Sequence, residues 1–390
     1  MMGGFWRGMM RSLVALIPGL FYAAAGMGKR LWAMARVTER TAGSSPEHCM
    51  VTAAPCDDGT RGALHSQPIT SQCYEMTTAG SAEHCGLLGK RGRQAQAAVI
   101  EPREVFEKCD LAFLHTPHCL GSGEVMISSL GDPRGNAKGG FALLDAETFE
   151  LKGNWERPTQ AAPQGHDFWY QPRHNVMMST ELGGSKFFAS GFNQADLGKG
   201  RYGRRGAFPH SCLNVWDWST HCLLQSIGLG EDSVPFEVRF LHDPDAAHGM
   251  VTCGLQSSVF HFYKTEVFVG GSIQKDGVVT VLEDPELNCQ PDPFMIQARK
   301  VYGGPHTLQL SLDGKRLYCT NSLYTPWDRV YYPDLVREGS VMLQIDVDTE
   351  HGGLCVNEDF LVDFGKEPCG PARAHEMRYP GGDCTSDIWE

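Results

Sequence analysis

The chain has 390 residues, of which 42% are hydrophobic, and it carries a formal net charge of −12. This length and composition fit a soluble globular protein with one large domain or two to three smaller ones. The negative charge argues against nucleic acid as the main partner, because binding to phosphates requires a basic surface.

The charge is distributed unevenly along the chain. The first hundred residues carry ten Lys and Arg against six Asp and Glu, a net charge of +4, which leaves −16 for the remainder. Residues 12–27 form an apolar run behind a basic flank, which resembles a signal sequence or a mitochondrial presequence. The run is shorter than the about 20 residues that a membrane helix needs. Residues 42–97 show no strand or helix period, so we expect residues 1–98 to form a leader that is mostly disordered.

Cysteine usage indicates a reducing compartment. The fourteen cysteines are scattered, and no two of them have CxxC spacing. In this pattern cysteine serves as a small buried hydrophobe or as a single reactive thiol. We therefore expect a cytoplasmic protein, with nuclear presence and peripheral membrane association left open. The basic, apolar N-terminal segment also leaves targeting to an organelle open.

From residue 109 onward the sequence is typical of antiparallel β-structure. Short apolar stretches such as EVMISSL (124–130) and HNVMMSTEL (174–182) end at Asp, Gly or Pro. Three stretches end alike, as LLDAETF, VWDWSTH and QIDVDTE, which predicts an Asp that accepts backbone N–H bonds at each hairpin. Four such units recur, so the prediction is an all-β fold, a β-propeller over residues 99–390. A large β-sandwich is the alternative, but it does not explain the propeller-like segment SLDGKRLYCTNS.

Twelve of the fifteen histidines lie after residue 100, and several stand just before an apolar strand. The residue that enters the innermost strand of a propeller blade faces the central channel. Histidines repeated at that position would bring several imidazoles together, a donor set that suits copper, zinc, iron or nickel. The histidines in such positions are His115, His174, His242, His306 and His375.

The stretch HTPHCLGSGEVMISSLGD (115–132) crowds two histidines and a cysteine into five residues. In a regular strand, His115 and Cys119 would share a face, and His118 would point to the opposite face. Pro117 can break that alternation, so His118 stays a candidate ligand. Alternatively, the segment is a polar loop with a buried thiol.

These segments resemble the selenium-binding protein family, which includes methanethiol oxidases. The likeness runs from about residue 99 to the C-terminus, through RFLHDPDAAHG, YYPDLVREGSVMLQIDVDT and ARAHEMRYPGGDCTSDIW. The resemblance implies a seven-bladed propeller that oxidises a small thiol, methanethiol, with oxygen to formaldehyde, hydrogen peroxide and hydrogen sulfide. It also implies copper as a cofactor and bound selenium. With this resemblance the expected metal ligands are His115, His118, His174, His242 and His375, with Glu376 orienting an imidazole, and Cys119 is the candidate selenium thiol.

Two family features are missing from this sequence. The family's N-terminal His-His pair and Cys-Ser-Ser-Cys segment are absent from residues 1–98, and FHFYKTE runs directly into VFVGGSIQKDG without an intervening blade. We therefore expect an incomplete propeller that binds copper weakly and turns over methanethiol slowly or not at all. The alternative is a propeller without enzymatic activity that binds selenium, serves intracellular transport or contacts protein partners.

Overall fold

The computed structural model of the chain is composed mostly of β-strands, which confirms the all-β prediction. It describes residues 13–16, 34–38, 48–54, 100–187, 193–197, 199, 201–202, 212–230, 233–262, 266–277, 279–283, 289–311, 313–323, 325–367 and 371–378. The strands are Leu13–Leu16 (β1), Met34–Thr38 (β2), His48–Ala54 (β3), Ala112–Leu120 (β4), Glu124–Gly131 (β5), Phe141–Asp145 (β6), Leu151–Asn154 (β7), Phe168–Gln171 (β8), Val176–Thr180 (β9), Cys212–Asp217 (β10), Cys222–Gly228 (β11), Pro235–Phe240 (β12), Gly249–Cys253 (β13), Ser258–His261 (β14), Glu266–Phe268 (β15), Val279–Glu283 (β16), Met295–Ile296 (β17), Arg299–Lys300 (β18), Leu308–Leu310 (β19), Arg316–Thr320 (β20), Val341–Val347 (β21), Leu354–Asp363 (β22) and Arg373–Arg378 (β23). The helices are Pro102–Cys109 (α1), Gln194–Leu197 (α2), Thr325–Tyr331 (α3) and Pro333–Glu338 (α4).

Four antiparallel sheets of four strands form the blades. Blade 1 is β4–β7, blade 2 is β8–β11, blade 3 is β12–β15 and blade 4 is β19–β22. In each blade consecutive strands are paired. The first strands β8, β12 and β19 contact one another in series, and β19 also contacts the C-terminal strand β23. The first strand of each blade is therefore the innermost, as in a propeller.

Apolar side chains fill the space between neighbouring blades. Trp169 and Leu213 of blade 2 pack against Val238 and Val251 of blade 3. A second cluster joins blade 3 to blade 4, with Met250 and Val259 on one side and Leu308, Leu317 and Ile345 on the other. Blades 3 and 4 are therefore packed directly against each other, although residues 269–307 separate them in the chain.

The hairpin aspartates behave as the sequence predicts. Asp145 Oδ1 accepts the backbone N–H of Thr148 at 2.9 Å, Asp217 Oδ1 that of Thr220 at 2.8 Å, and Asp348 Oδ1 that of His351 at 2.9 Å. These backbone hydrogen bonds stabilise the charged carboxylates and lower the pKa of all three aspartates, that of Asp217 to about 2.

The C-terminal strand β23 lies beside blade 4 and also pairs with strand β3 from the N-terminal region. Strands β2 and β3 pair with each other, and β1 pairs with β16. Apart from these three strands, the expected disordered leader 1–98 lies outside the described residues, and its disorder stays a prediction. Among the residues described, no helix is both long and apolar enough to cross a membrane.

Candidate functional site

The entry positions of the five innermost strands lie close together. They are occupied by His115 on β4, His166 before β8, Phe236 on β12, His306 before β19 and His375 on β23, which we call the central ring. Ring centroids are 4.3 Å apart for His115 and His166 and 5.0 Å apart for His306 and His375. Between these two pairs, His166 and His306 are 6.2 Å apart. The central ring thus holds four imidazoles as two pairs.

A repeated hydrogen bond fixes the backbone of the central ring. In each case a hydroxyl group on the second strand of one blade donates to the carbonyl of the ring residue that follows. The bonds are Ser128 Oγ to His166 O at 2.5 Å, Thr180 Oγ1 to Phe236 O at 2.6 Å, Thr252 Oγ1 to His306 O at 2.8 Å and Thr320 Oγ1 to His375 O at 3.1 Å. This repeat shows that the ring positions are structurally equivalent from blade to blade.

The hydrogen bonds of the imidazoles assign their tautomers. His166 Nδ1 lies 3.0 Å from Phe236 O, and His375 Nδ1 lies 3.3 Å from Ser322 O. A carbonyl only accepts, so both Nδ1 atoms carry a proton, and in the neutral form of each ring the lone pair is on Nε2.

The same reasoning applies to His306. The Thr307 hydroxyl donates to His375 O, so its oxygen accepts the Nδ1–H of His306 at 2.9 Å. His306 Nε2 is buried and has no hydrogen-bond partner among the described residues. A buried polar atom without a partner calls for an explanation such as an unseen ion.

Burial keeps two of the imidazoles neutral. Desolvation lowers the pKa of His166 and His306 well below its ordinary value, and the neighbouring histidines lower it further. The neutral form is the one in which histidine binds metals.

Phe236 connects the central ring to an apolar cluster. Its ring lies 4.7 Å from that of His306 and 5.5 Å from that of Trp327 on α3. The cluster also contains Leu255, Leu323 and other buried side chains. A small apolar group bound at the central ring would therefore contact carbon atoms here.

Comparison with known proteins identifies the family. The family model of the 56 kDa selenium-binding protein, SBP56, matches residues 89–268 and 264–390. The chain belongs to the SBP56 family. A protein of Xenopus tropicalis named methanethiol oxidase is 53% identical, with 74% of each chain covered. The human protein of the same name is 51% identical, with 75% of this chain and 74% of the relative covered.

A solved structure and the alignments add detail. The crystal structure of a hypothetical selenium-binding protein from Sulfolobus tokodaii is 26% identical, with a TM-score of 0.51 over 75% of this chain and 74% of that chain. The alignments to the two methanethiol oxidases extend over 358 positions. This is more positions than 75% of this chain's 390 residues can fill, so the alignments contain gaps in this chain where the relatives have additional residues. The two family-model matches meet at residues 264–268, where FHFYKTE runs into VFVGGSIQKDG.

Of the histidines expected as ligands in this SBP56 member, two lie in the central ring and three lie elsewhere. His115 and His375 are ring members. His118 is buried between blades 1 and 2, with Nε2 2.8 Å from Phe168 O. His174 is exposed, with Nε2 2.9 Å from Asp245 O, and His242 Nε2 lies 3.2 Å from Leu310 O.

His174 and His242 lie outside the central ring for a simple reason, and their role as metal ligands stays a prediction. The segment HNVMMSTEL contains the second strand of blade 2, not the first, because β8 precedes it. His174 and His242 therefore each follow an innermost strand and lie at the end where the chain leaves that strand, not where it enters. The true entry residues, His166 and His306, follow a glycine in GHDFWYQ and GGPHTLQL, a signal that could have identified them.

The strand that carries His115 and Cys119 is irregular. The pairing of β4 with β5 is irregular between Leu114 and Pro117, which breaks the alternation of faces. Cys119 packs against the apolar cluster inside blade 1 with Val125. Its role in selenium binding stays a prediction, and the side chain of Glu376 lies outside the described residues.

The central ring fits copper by donor chemistry. Imidazole suits copper, and the assigned tautomers leave Nε2 of His166, His306 and His375 available. Within the described part of the chain, however, no group of three or more His, Cys, Asp or Glu converges closely enough to hold a metal ion.

Proposed function

We propose that this chain oxidises methanethiol with oxygen at the central ring, where copper would be held by His115, His166, His306 and His375. The relatives named methanethiol oxidase support the reaction. The single observation that carries the site is the buried, unpartnered Nε2 of His306 within a group of four imidazoles.

The proposed reaction balances with one molecule each of methanethiol, oxygen and water. These give one molecule each of formaldehyde, hydrogen peroxide and hydrogen sulfide; the carbon loses two electrons and oxygen gains them. When bound, copper supplies a soft redox-active centre that suits a thiolate sulfur.

The chain's own residues prepare the site. The Nδ1–H groups of His166 and His375 are held by carbonyl oxygens, which orients each Nε2 lone pair. Phe236 and Trp327 offer apolar contact for the methyl group of the thiol. Burial of His166 and His306 keeps their rings neutral at physiological pH.

This proposal revises the expected ligand set. The missing N-terminal His-His pair predicts weak copper binding if the ligands are those chosen from sequence. His166 and His306 supply two imidazoles that the sequence-based set lacks, and they support turnover without the missing pair.

The test is to load the purified chain with one equivalent of copper and to add methanethiol in aerated buffer. We expect formaldehyde, hydrogen peroxide and hydrogen sulfide in equal amounts. The His375→Gln variant should lose most of this activity, whereas the exposed control His174→Gln should retain it. Selenium binding with no peroxide from the copper-loaded chain would contradict the oxidase and favour a carrier without enzymatic activity.

A further inference from the structure

A buried arginine lies between two carboxylates next to the central ring. Arg239 on β12 is 2% exposed, and its Nη1 lies 2.9 Å from Asp167 Oδ2 while its Nη2 lies 2.7 Å from Glu237 Oε2. Its guanidinium also lies over the ring of Trp169, 4.6 Å from the centroid. The planar guanidinium suits such a bridge because its donors point in fixed directions.

Both carboxylates also accept hydrogen bonds from the backbone of the innermost strands. Asp167 Oδ2 accepts the N–H of Val238 at 2.9 Å, and Glu237 Oε2 accepts the N–H of Leu308 at 2.9 Å. Asp167 stands just before β8, Glu237 lies on β12 and Leu308 begins β19. The Asp167–Arg239–Glu237 triad therefore ties the innermost strands of three blades to one another.

The triad is adjacent in sequence to the central ring. Asp167 directly follows His166, and Leu308 is the second residue after His306. These two histidines belong to different imidazole pairs, and their ring centroids are 6.2 Å apart. The strands that set this separation are the ones that Arg239 bridges.

Stability alone gives a weak account of such a triad. Desolvation of buried ions often offsets their attraction. Buried ion groups are better explained in some proteins by the specific geometry that they enforce.

We propose that Arg239 is a positioning residue that sets the interval between the His115–His166 pair and the His306–His375 pair. This inference rests on the proposed function for the copper ion, but the interval itself is a property of the folded chain.

The chain offers a matched control in Arg299. Its Nε lies 3.2 Å from Asp363 Oδ1, its Nη2 donates to Glu338 O at 2.7 Å, and its guanidinium lies 5.4 Å from the centroid of the Tyr302 ring. Arg299 thus makes the same kinds of contact, but with residues outside the central ring and its flanking triad.

The experiment compares Arg239→Met, Arg239→Lys and Arg299→Met with the unaltered chain. Copper(II) affinity is measured by competition with a chelator, the ligand field by electron paramagnetic resonance, and apo-protein stability by urea unfolding. We expect Arg239→Met to lose copper affinity about 10- to 100-fold and to change the spectrum, with partial rescue in Arg239→Lys. Arg299→Met should lose stability while keeping both the affinity and the spectrum.

A second readout needs no copper. Histidine-selective ¹⁵N spectra of the apo-protein should show shifted His166 and His306 signals in Arg239→Met and Arg239→Lys but not in Arg299→Met. If the unaltered chain binds no copper and these shifts occur, the proposed function fails and the positioning role stands. If copper binds but Arg239→Met and Arg299→Met give the same affinity, spectrum and shifts, the positioning role is wrong. If Arg239→Met does not fold, Arg239→Lys is compared with Arg299→Met by the same criteria.

Discussion

The imidazole rings of His306 and His375 stack with their centroids 5.0 Å apart and their planes inclined by 22°, although all of blade 4 separates the two residues in the chain. They meet because each enters the innermost strand of its own sheet. The same relationship joins His115 to His166, so the central ring is a product of blade packing and not of local sequence.

The central ring predicts which histidines matter for copper. His166→Gln should weaken copper(II) binding about 10-fold or more, because an imidazole with an oriented Nε2 is removed. His242→Gln is the control, since His242 bonds Leu310 O outside the ring. Equilibrium dialysis with a competing chelator measures both affinities. A larger loss in His242→Gln than in His166→Gln would restore the ligand set chosen from sequence.

The hydroxyl that links blade 3 to the central ring should stabilise the fold. Thr252 is fully buried; its hydroxyl donates to His306 O and accepts the N–H of Glu237 at 3.0 Å. Thr252→Val keeps the shape but leaves both groups without this partner, so we expect a loss of about 1–3 kcal/mol in the free energy of unfolding. Urea unfolding measures this loss. Thr252→Ser, which keeps the hydroxyl, should lose less; equal losses would show that the hydrogen bonds contribute nothing.

Asp328 predicts a pH dependence of stability. Burial raises its pKa to about 7, from 3.8, although Ser322 and Leu323 donate hydrogen bonds to it. Between about pH 4 and pH 7 the folded chain holds a proton that the unfolded chain has lost. The contribution of Asp328 to stability therefore falls as pH rises through this window.

Replacement by a neutral side chain should remove that dependence. Asp328→Asn should match the unaltered apo-protein at pH 4 and exceed its free energy of unfolding at pH 8, by up to about 4 kcal/mol. Urea unfolding at the two pH values measures the difference, with the half-buried Asp334→Asn as control. A deficit of Asp328→Asn at pH 8 would show that the carboxylate is stabilised where it lies.

A close backbone approach near the central ring requires glycine. A Cβ on Gly303 would lie 1.9 Å from Asn321 O and 2.3 Å from Leu335 Cδ1, whereas on Gly353 the nearest atom would be 3.8 Å away. Gly303→Ala should therefore lower the free energy of unfolding by about 1–3 kcal/mol or more, with Gly353→Ala changing it by less than about 0.5 kcal/mol. Thermal unfolding of the two variants compares them. Equal melting temperatures would mean that the loop before His306 shifts without strain.

The sequence by itself determined the strand units, the hairpin aspartates and the family. Alternating apolar stretches and Asp-containing turns depend on local spacing, so they predict sheets and hairpins correctly. Local spacing also marked His115 and His375, which stand at strand entries. Motifs such as RFLHDPDAAHG carry the family resemblance independently of how the chain folds.

Only the tertiary structure decided which residues form the central ring. The choice between His166 and His174 depends on which strand of blade 2 is innermost, and that is set by packing against β12, far along the chain. The face of Cys119 depends on an irregular pairing between Leu114 and Pro117 that alternation does not predict. The sequence around Arg239 does not predict its role, because Arg239 bridges Asp167 and Glu237 only when three blades pack together.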